Sequence, residues 1–464
     1  MKTFRSIVIL LVVLALGAAA LPAMGQSDSP ITLPDQIAEG RDVTIGVTAC
    51  IGDDQTDVRA QWDEQIARFE ALYPNVTVET LIYCFGAESF PALVAGGELP
   101  TLFGVPLTEP GKLISQGIVQ DLTPYFEQYG LTDIFSPSVL GVVSDADGNI
   151  YGIPNSAYAQ GIAYNVQWLQ DAGYDHAPQT WAELAEMADA LADQDNLKAG
   201  FAMNMSGGGG GWHFTNIAYG FGADIIVQNE DGTYTATFGE GPAVDAMQFV
   251  YDLRWTYDVL PYDLSINPIL ELVADNTAMA MNPGDGLGWV NLNMPEVDLS
   301  KYAYAPVPAG PDGVRRSLTG GEAYFINATA DADQTEAAIV FHLWRKFSSD
   351  ELAAERAIFN STQAGQGAPV LNLYVGDFAA QVAAIDADFV TMPVENYAAF
   401  NDAIAAGEVE LVPEPIVAAQ DFYTAISEVL TTVLTDENAD VPQLMADAAA
   451  SFQTGILDQL APAE

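Results

Sequence analysis

A mixed α/β architecture, with a mainly parallel sheet in each of two domains, is what this chain predicts. Strand-like and helix-like apolar patterns alternate from Asp42 onward, as in a chain of βαβ units. About 440 residues follow the amino-terminal segment, more than one hydrophobic core ordinarily serves. Hydrophobic residues make up 50% of the chain, enough to fill two cores.

Lys2 and Arg5 precede an apolar run from Ile7 to Leu21, and Pro22-Ala23-Met24-Gly25 then offers small residues before a cut after Gly25. Residues 1–25 therefore read as a secretory signal peptide, too short and too polar in its sequel for a spanning helix. Gln26 rather than cysteine follows the cut, so no lipid anchor is encoded and the expected product is exported to the periplasm or exterior. Residues 26–41, polar and carrying Pro30 and Pro34, read as a flexible leader.

The first βαβ unit runs from Val43 to Ala49, through a helix burying Val58, Trp62, Ile66, Phe69 and Leu72, to Val76–Tyr83. Cys50 and Cys84 end these two strands. If the strands are parallel neighbours joined by a right-handed crossover, both thiols reach the same sheet edge, and a disulfide is expected over two buried free thiols. Asp147-Gly148 and Asp231-Gly232 supply hairpin turns. Thr180 with Glu183 forms a capping box that starts a helix at Trp181. Pro242 opens another helix, with Ala243, Ala246, Met247, Val250 and Leu253 on one face. After Pro413 and Pro415 an amphipathic helix extends from Ala418 to Leu434.

Acidic residues number 63 against 14 basic ones, and loss of Lys2 and Arg5 takes the formal charge from −49 to −51. Nucleic acid and anionic membranes are thereby excluded as partners, since both need a basic footprint. The acids are dispersed, as on a solvated acidic surface. Catalysis has little basis. His176, His213 and His342 are far apart and lack the spacing of a metal site, and no cofactor motif is present. Ser206 followed by glycines 207–211 and Trp212 lacks the lysine of a phosphate loop and reads as a mobile loop or a lid over ligand. Asp145 to Asn149 is a hairpin turn rather than a calcium loop, because Ser156 stands where the bidentate glutamate belongs. Scarce basic residues also argue against a site for sugar acids or phosphates, unless Arg315 and Arg316 supply one.

The order of several motifs resembles the extracellular solute-binding proteins of ABC importers, family 1. They are Phe69-Glu70-Ala71-Leu72-Tyr73-Pro74-Asn75-Val76, Ala95-Gly96-Gly97-Glu98-Leu99-Pro100, Gln116-Gly117-Ile118-Val119-Gln120-Asp121-Leu122, and Asp147-Gly148-Asn149-Ile150-Tyr151-Gly152-Ile153-Pro154. Gly161-Ile162-Ala163-Tyr164-Asn165, Ala278-Met279-Ala280-Met281 before Gly284, Gly286, Gly288 and Trp289, and Gly320-Gly321 complete the series. Thr101 departs from the family's more usual aspartate. The resemblance implies the two-lobed periplasmic-binding-protein fold of type II. The first lobe would comprise residues 42–154 plus 312–348, and the second 155–311 plus 349–464.

It also implies a monomeric, non-enzymatic binding subunit that captures a carbohydrate or similar neutral polar solute, expected to be a mono- or oligosaccharide, and delivers it to membrane permease subunits. The alternatives are a receptor feeding a sensor, or a secreted carbohydrate-active enzyme using a pair such as Asp53-Asp54. A sugar site needs aromatic platforms with carboxylates or amides at their edges. Carried over by motif, the candidates are Asp53, Asp54, Gln55, Glu109 and Tyr158 from the first lobe and crossover, and Trp212, Trp289, Phe422 and Tyr423 from the second. Trp62, on the buried stripe of the first helix, is assigned to the core.

Overall fold

The apolar run beginning at Val43 forms β1 (Val43–Ala49), which lies parallel to β2 (Val76–Ile82) from Val43 opposite Val76 to Ala49 opposite Ile82. The helix Thr56–Leu72 crosses between them and buries Trp62, Ile66 and Phe69. Leu72, expected inside, is exposed in the last turn, where Tyr73 takes the core position instead. Tyr83 N–H donates to the Ala49 carbonyl and extends the ladder by one rung. Cys50 and Cys84 thus leave the sheet side by side, and they form a disulfide with Cα atoms 4.4 Å apart.

This computed structural model describes residues 29–460 apart from 54, 87–88, 230 and 363–366; the expected signal peptide and Gln26 lie outside the described residues. Among the described residues no helix is long and apolar enough to cross a membrane. Further strands are β3 (Leu102–Pro106), β4 (Gly152–Asn165), β5 (Ala199–Ala202), a hairpin of β6 (Ile226–Gln228) and β7 (Tyr234–Ala236), β8 (Thr277–Pro283), β9 (Tyr302–Pro306), β10 (Arg315–Ile326) and β11 (Val409–Pro413). The large sheet has the order β2-β1-β3-β10-β4-β8-β5, with β11 beside β10 and β9 beside β4.

Two long strands join the lobes. β10 pairs with β11 over Arg315–Thr319 in the second lobe and with β3 over Glu322–Ile326 in the first. β4 runs antiparallel to it, from Gly152 beside Phe325 to Ala159 beside Thr319, and continues against β8 and β9. Their register shifts between Glu322 and Ala323, so Asn155 is an extra residue in β4, and this bulge lies where one lobe gives way to the other. Gly320 and Gly321 allow the strands to close here, since a Cβ on Gly321 would stand 2.0 Å from the Ser156 carbonyl oxygen.

Each lobe has its own core. Phe69, Phe103, Phe126, Phe325 and Phe341 centre the first. Trp181, Phe201, Phe214, Phe238 and Phe422 centre the second, whose other sheet face is covered through Tyr304, Tyr397 and Phe400. Three segments differ from expectation. Residues 29–41 are docked rather than a flexible leader: Ile31, Leu33 and Ile37 are buried in the first core, and Tyr73 Oη donates to the Pro34 carbonyl at 2.7 Å. The helices Ser349–Thr362 and Gly376–Ala387, assigned by sequence to the second lobe, send Leu352 and Phe378 into the first core, where Phe378 stacks on Phe347 at 4.9 Å. The start of β10, assigned to the first lobe, instead places Leu318 in the second core.

The glycine run is neither loop nor lid. It forms the first turns of the helix Gly207–Gly220, packed on the helix Ala419–Thr435. A Cβ on Gly211 would meet the Tyr423 carbonyl oxygen at 2.2 Å, and Ser427 Oγ accepts from Gly211 N–H at 2.8 Å, so helix contact stabilises what propensity disfavours. The helix at Trp181 starts as expected, with Thr180 Oγ1 accepting from Glu183 N–H at 3.1 Å; Glu183 returns to the amide of Gln179 rather than of Thr180.

Because the disulfide closes the βαβ unit with a sequence separation of 34 residues, Cys50→Ser should lower the unfolding free energy by about 4 kcal/mol in the chain-entropy model. A denaturant titration of the oxidised protein against the variant reads this as a lower midpoint.

Candidate functional site

The carboxyl ends of β1, β2 and β3 and the bulged crossover enclose a cavity of about 480 Å³, within the range of small-molecule sites. Trp62, Tyr83, Asn155, Glu322, Tyr324 and Arg345 are among its walls, and the Cys50–Cys84 disulfide lies on it. Trp62 is therefore both core and cavity wall. Its indole N–H donates to Thr80 Oγ1 at 2.7 Å, its ring meets Phe341 edge-on, and the Arg345 guanidinium stands 4.4 Å above it. Arg345 Nε donates to Gln65 Oε1 at 2.7 Å, and Gln65 in turn reaches Glu351, which also receives both arms of Arg68.

Two carboxyl groups on these walls are shifted in opposite directions. Burial pushes Glu322 upward, against the hydrogen bond from Asn155 Nδ2 at 3.1 Å. Burial would raise Glu355 too, but Lys346, Arg345 and Arg356 overcome it and hold the group at about 2. Lys346 Nζ lies 3.0 Å from Glu355 Oε1.

Across the crossover, the second lobe presents an aromatic group around one buried acid. Glu414, just past β11, accepts a hydrogen bond from Tyr423 Oη and has the Trp212 side chain as a second partner. Tyr158 meets Trp212 edge-on at 5.9 Å between ring centres. A Cβ on Gly320 would lie 2.4 Å from Tyr158 Oη and 2.9 Å from Glu414 Oε1, so only glycine lets β10 pass this group. Burial pushes Glu414 up to about 8, despite its donor from Trp212, and burial with Glu414 nearby raises Tyr158 well above the usual phenol range.

Of the sequence candidates, Tyr158, Trp212 and Tyr423 come together here. Trp289 is 46% exposed, on the helix Asp285–Asn293 rather than in a loop. The start of that helix faces the same group, since Asp285 acts electrostatically on Tyr158. Glu109 is buried at the boundary between lobes, accepting from Thr108 Oγ1 at 3.2 Å and sensing Asp421 of the second lobe. Gln420 Nε2 reaches Thr108 Oγ1 at 3.4 Å nearby.

Others do not join. Phe422 is fully buried against Phe238 and Phe452, with no face left for a ligand, which corrects its place among the candidates. Gln55 accepts from Gly52 N–H at 2.8 Å and closes its own turn. Asp53 is exposed in that turn, and Asp54 lies outside the described residues. Arg315 is spent on the Val307 carbonyl and Gln179, and Arg316 on Asp312 and Glu410. Sequence reasoning passed over Glu322, Arg345 and Glu414. The available signals were the rare basic pair Arg345-Lys346 and a carboxylate between Pro413 and Pro415.

The chain matches the family described as bacterial extracellular solute-binding protein over residues 52–341. It belongs to that family. Binding proteins of Brucella abortus and Brucella suis are each 27% identical to it over 208 residues, 44% of this chain and 48% of theirs. The chain thus spans about half the length of the curated relatives it matches. Among solved structures, maltose-bound MalE3 of T. maritima aligns with 89% of this chain and 100% of its own at TM-score 0.68 and 21% identity. UgpB of Mycobacterium tuberculosis, in complex with glycerophosphocholine, aligns over 90% and 99% at TM-score 0.69 and 19% identity. These likenesses establish the two-lobed α/β fold. As a family member the chain is a solute-binding protein.

Glu414 gives this solute-binding protein a pH signature. Its folded pKa of about 8 lies above its ordinary value of 4.5. The unfolded chain therefore ionises first, and stability falls as pH rises between those values. In Glu414→Gln the drop in melting temperature from pH 5 to pH 8 should shrink; an unchanged drop would assign it to other groups.

Proposed function

We propose that this chain is the exported binding subunit of an ABC importer, which captures a carbohydrate or similar hydroxyl-rich polar solute between its lobes and hands it to the permease. The observation that carries this reading is the placement of a mixed polar and aromatic cavity on one side of the crossover strands and the Tyr158–Trp212–Tyr423 group on the other. Sugar rings present apolar faces and a belt of hydroxyls, and such surroundings answer both. The maltose of MalE3 from T. maritima and the cycloalternan of Lmo0181 from Listeria monocytogenes are bound by proteins of the same fold, which supports the class.

In this mechanism the first-lobe cavity engages the solute, and the second lobe then swings in about β4 and β10 to bring Tyr158, Trp212 and Trp289 against it. The solute favours the closed form only through contacts made there, so the aromatic group sets the closing free energy. The permease then receives the closed form.

A thermal-shift screen of sugars, polyols, amino acids and peptides tests the reading. A true ligand at one hundred times its Kd should add about 2.7 kcal/mol of stability, without product formed. Trp289→Ala, at an exposed position, should leave the ligand-free melting temperature unchanged and weaken binding by about 2 kcal/mol, as an aromatic hot spot does. Calorimetry showing undiminished affinity would remove Trp289 from the site.

A further inference from the structure

Basic residues are rare in this chain, 14 of 464, yet Arg345 and Lys346 both line the first-lobe cavity, with Arg68 and Arg356 joined to the acids beside them. Three of them are matched to carboxylates: Arg68 to Glu351 at 2.7 Å, Lys346 to Glu355 at 3.0 Å, and Arg356 to Asp386 at 2.6 Å. Arg345 is different. Its Nε is held by a neutral amide, Gln65, and its plane is held over Trp62. Nη1 has no hydrogen-bond partner among the described residues, although Arg345 is only 8% exposed and lines the cavity.

A guanidinium fixed by stacking, by one amide and by the neighbouring Tyr324 hydroxyl, with Nη1 still open beside a cavity, is arranged to receive a planar anionic acceptor. Leaving that donor buried without an acceptor costs free energy, which a ligand oxygen would recover. The same cavity supplies the complement: Asn155 Oδ1 is likewise without a donor among the described residues, while Asn155 Nδ2 holds Glu322.

We propose that the solute is a sugar acid, its carboxylate docked on Arg345 in the first-lobe cavity and a hydroxyl donated to Asn155. This rests on the capture of a hydroxyl-rich solute argued above and specifies its charge. It reverses the expectation drawn from composition, since the total of basic residues matters less than the one in this cluster with no carboxylate hydrogen-bonded to it.

The test is isothermal calorimetry at pH 7 with matched pairs: D-galacturonate and D-galactose, D-glucuronate and D-glucose, lactobionate and lactose. The expected result is at least one acid bound tenfold or more tighter than its neutral partner, with the preference lost in Arg345→Gln. Melting curves establish that the variant is folded, and the wild-type comparison stands even if it is not. Neutral members bound as tightly as the acids would overturn the inference and leave hydroxyl-rich solute capture standing. Silence from every sugar, with binding of another solute class, would overturn both. An acid preference that persists in folded Arg345→Gln would overturn the assignment to Arg345.

Discussion

The structure depends on two strands that belong to both lobes. β4, with 14 residues, and β10, with 12, pair with each other and divide their remaining partners between the lobes. Hydrogen bonding makes each pair of strands stiff along its length, so flexure is confined to the place where the ladder is imperfect. That place is the bulge at Asn155 opposite Glu322–Ala323, flanked by Gly320 and Gly321. Both polar clusters are anchored within a few residues of it. Asn155 and Glu322 belong to the cavity wall, while Tyr158 and Gly320 abut Glu414. The bulge therefore stands between the two clusters, with a separate core on either side of it.

Burial gives the two clusters different electrostatic character. In the first lobe, Glu355 is surrounded by cations and stays ionised, so the group acts as a fixed lattice of charge that orients Arg345 and Lys346. In the second, Glu414 has only aromatic donors, Tyr423 and Trp212, and burial outweighs them. A neutral carboxyl retains an acceptor oxygen for both donors and spares the fold a buried charge. The aromatic group is thereby held rigidly without presenting a strong field, which suits a wall that packs against ring faces.

Much of the first lobe was legible because its determinants are local. The alternating runs at Val43 and Val76, the crossover helix between them and the shared sheet edge together place Cys50 near Cys84, as the disulfide bears out. Trp181 starts its helix for an equally local reason, the Thr180 cap. The glycine run was illegible because its propensity argues for a loop; only the close approach of the helix bearing Tyr423 and Ser427, more than 200 positions away, makes the missing side chains an asset. Residues 29–41 misled similarly. Their prolines and polar residues suggest a leader, and the docking of Ile31, Leu33 and Ile37 depends on a core assembled elsewhere. Arg345 was hidden in another way, since a sequence shows how many cations a chain has but not which of them line a cavity with a donor left open.

The chain's formal charge of −49 bears on how any acidic solute would reach that residue. At physiological ionic strength the field of dispersed surface acids is screened within about 8 Å, so it slows the approach of a small anion without setting its bound free energy. Inside the cavity the balance is local. Arg345, Lys346 and Arg356 lie close to Glu355, and together they hold its carboxyl well below the usual range. A guanidinium stacked on Trp62 and excluded from water also interacts far more strongly with a contacting carboxylate than the same pair would at the surface. An acidic exterior and an anion-accepting interior are thus compatible, because screening separates the two length scales on which they act.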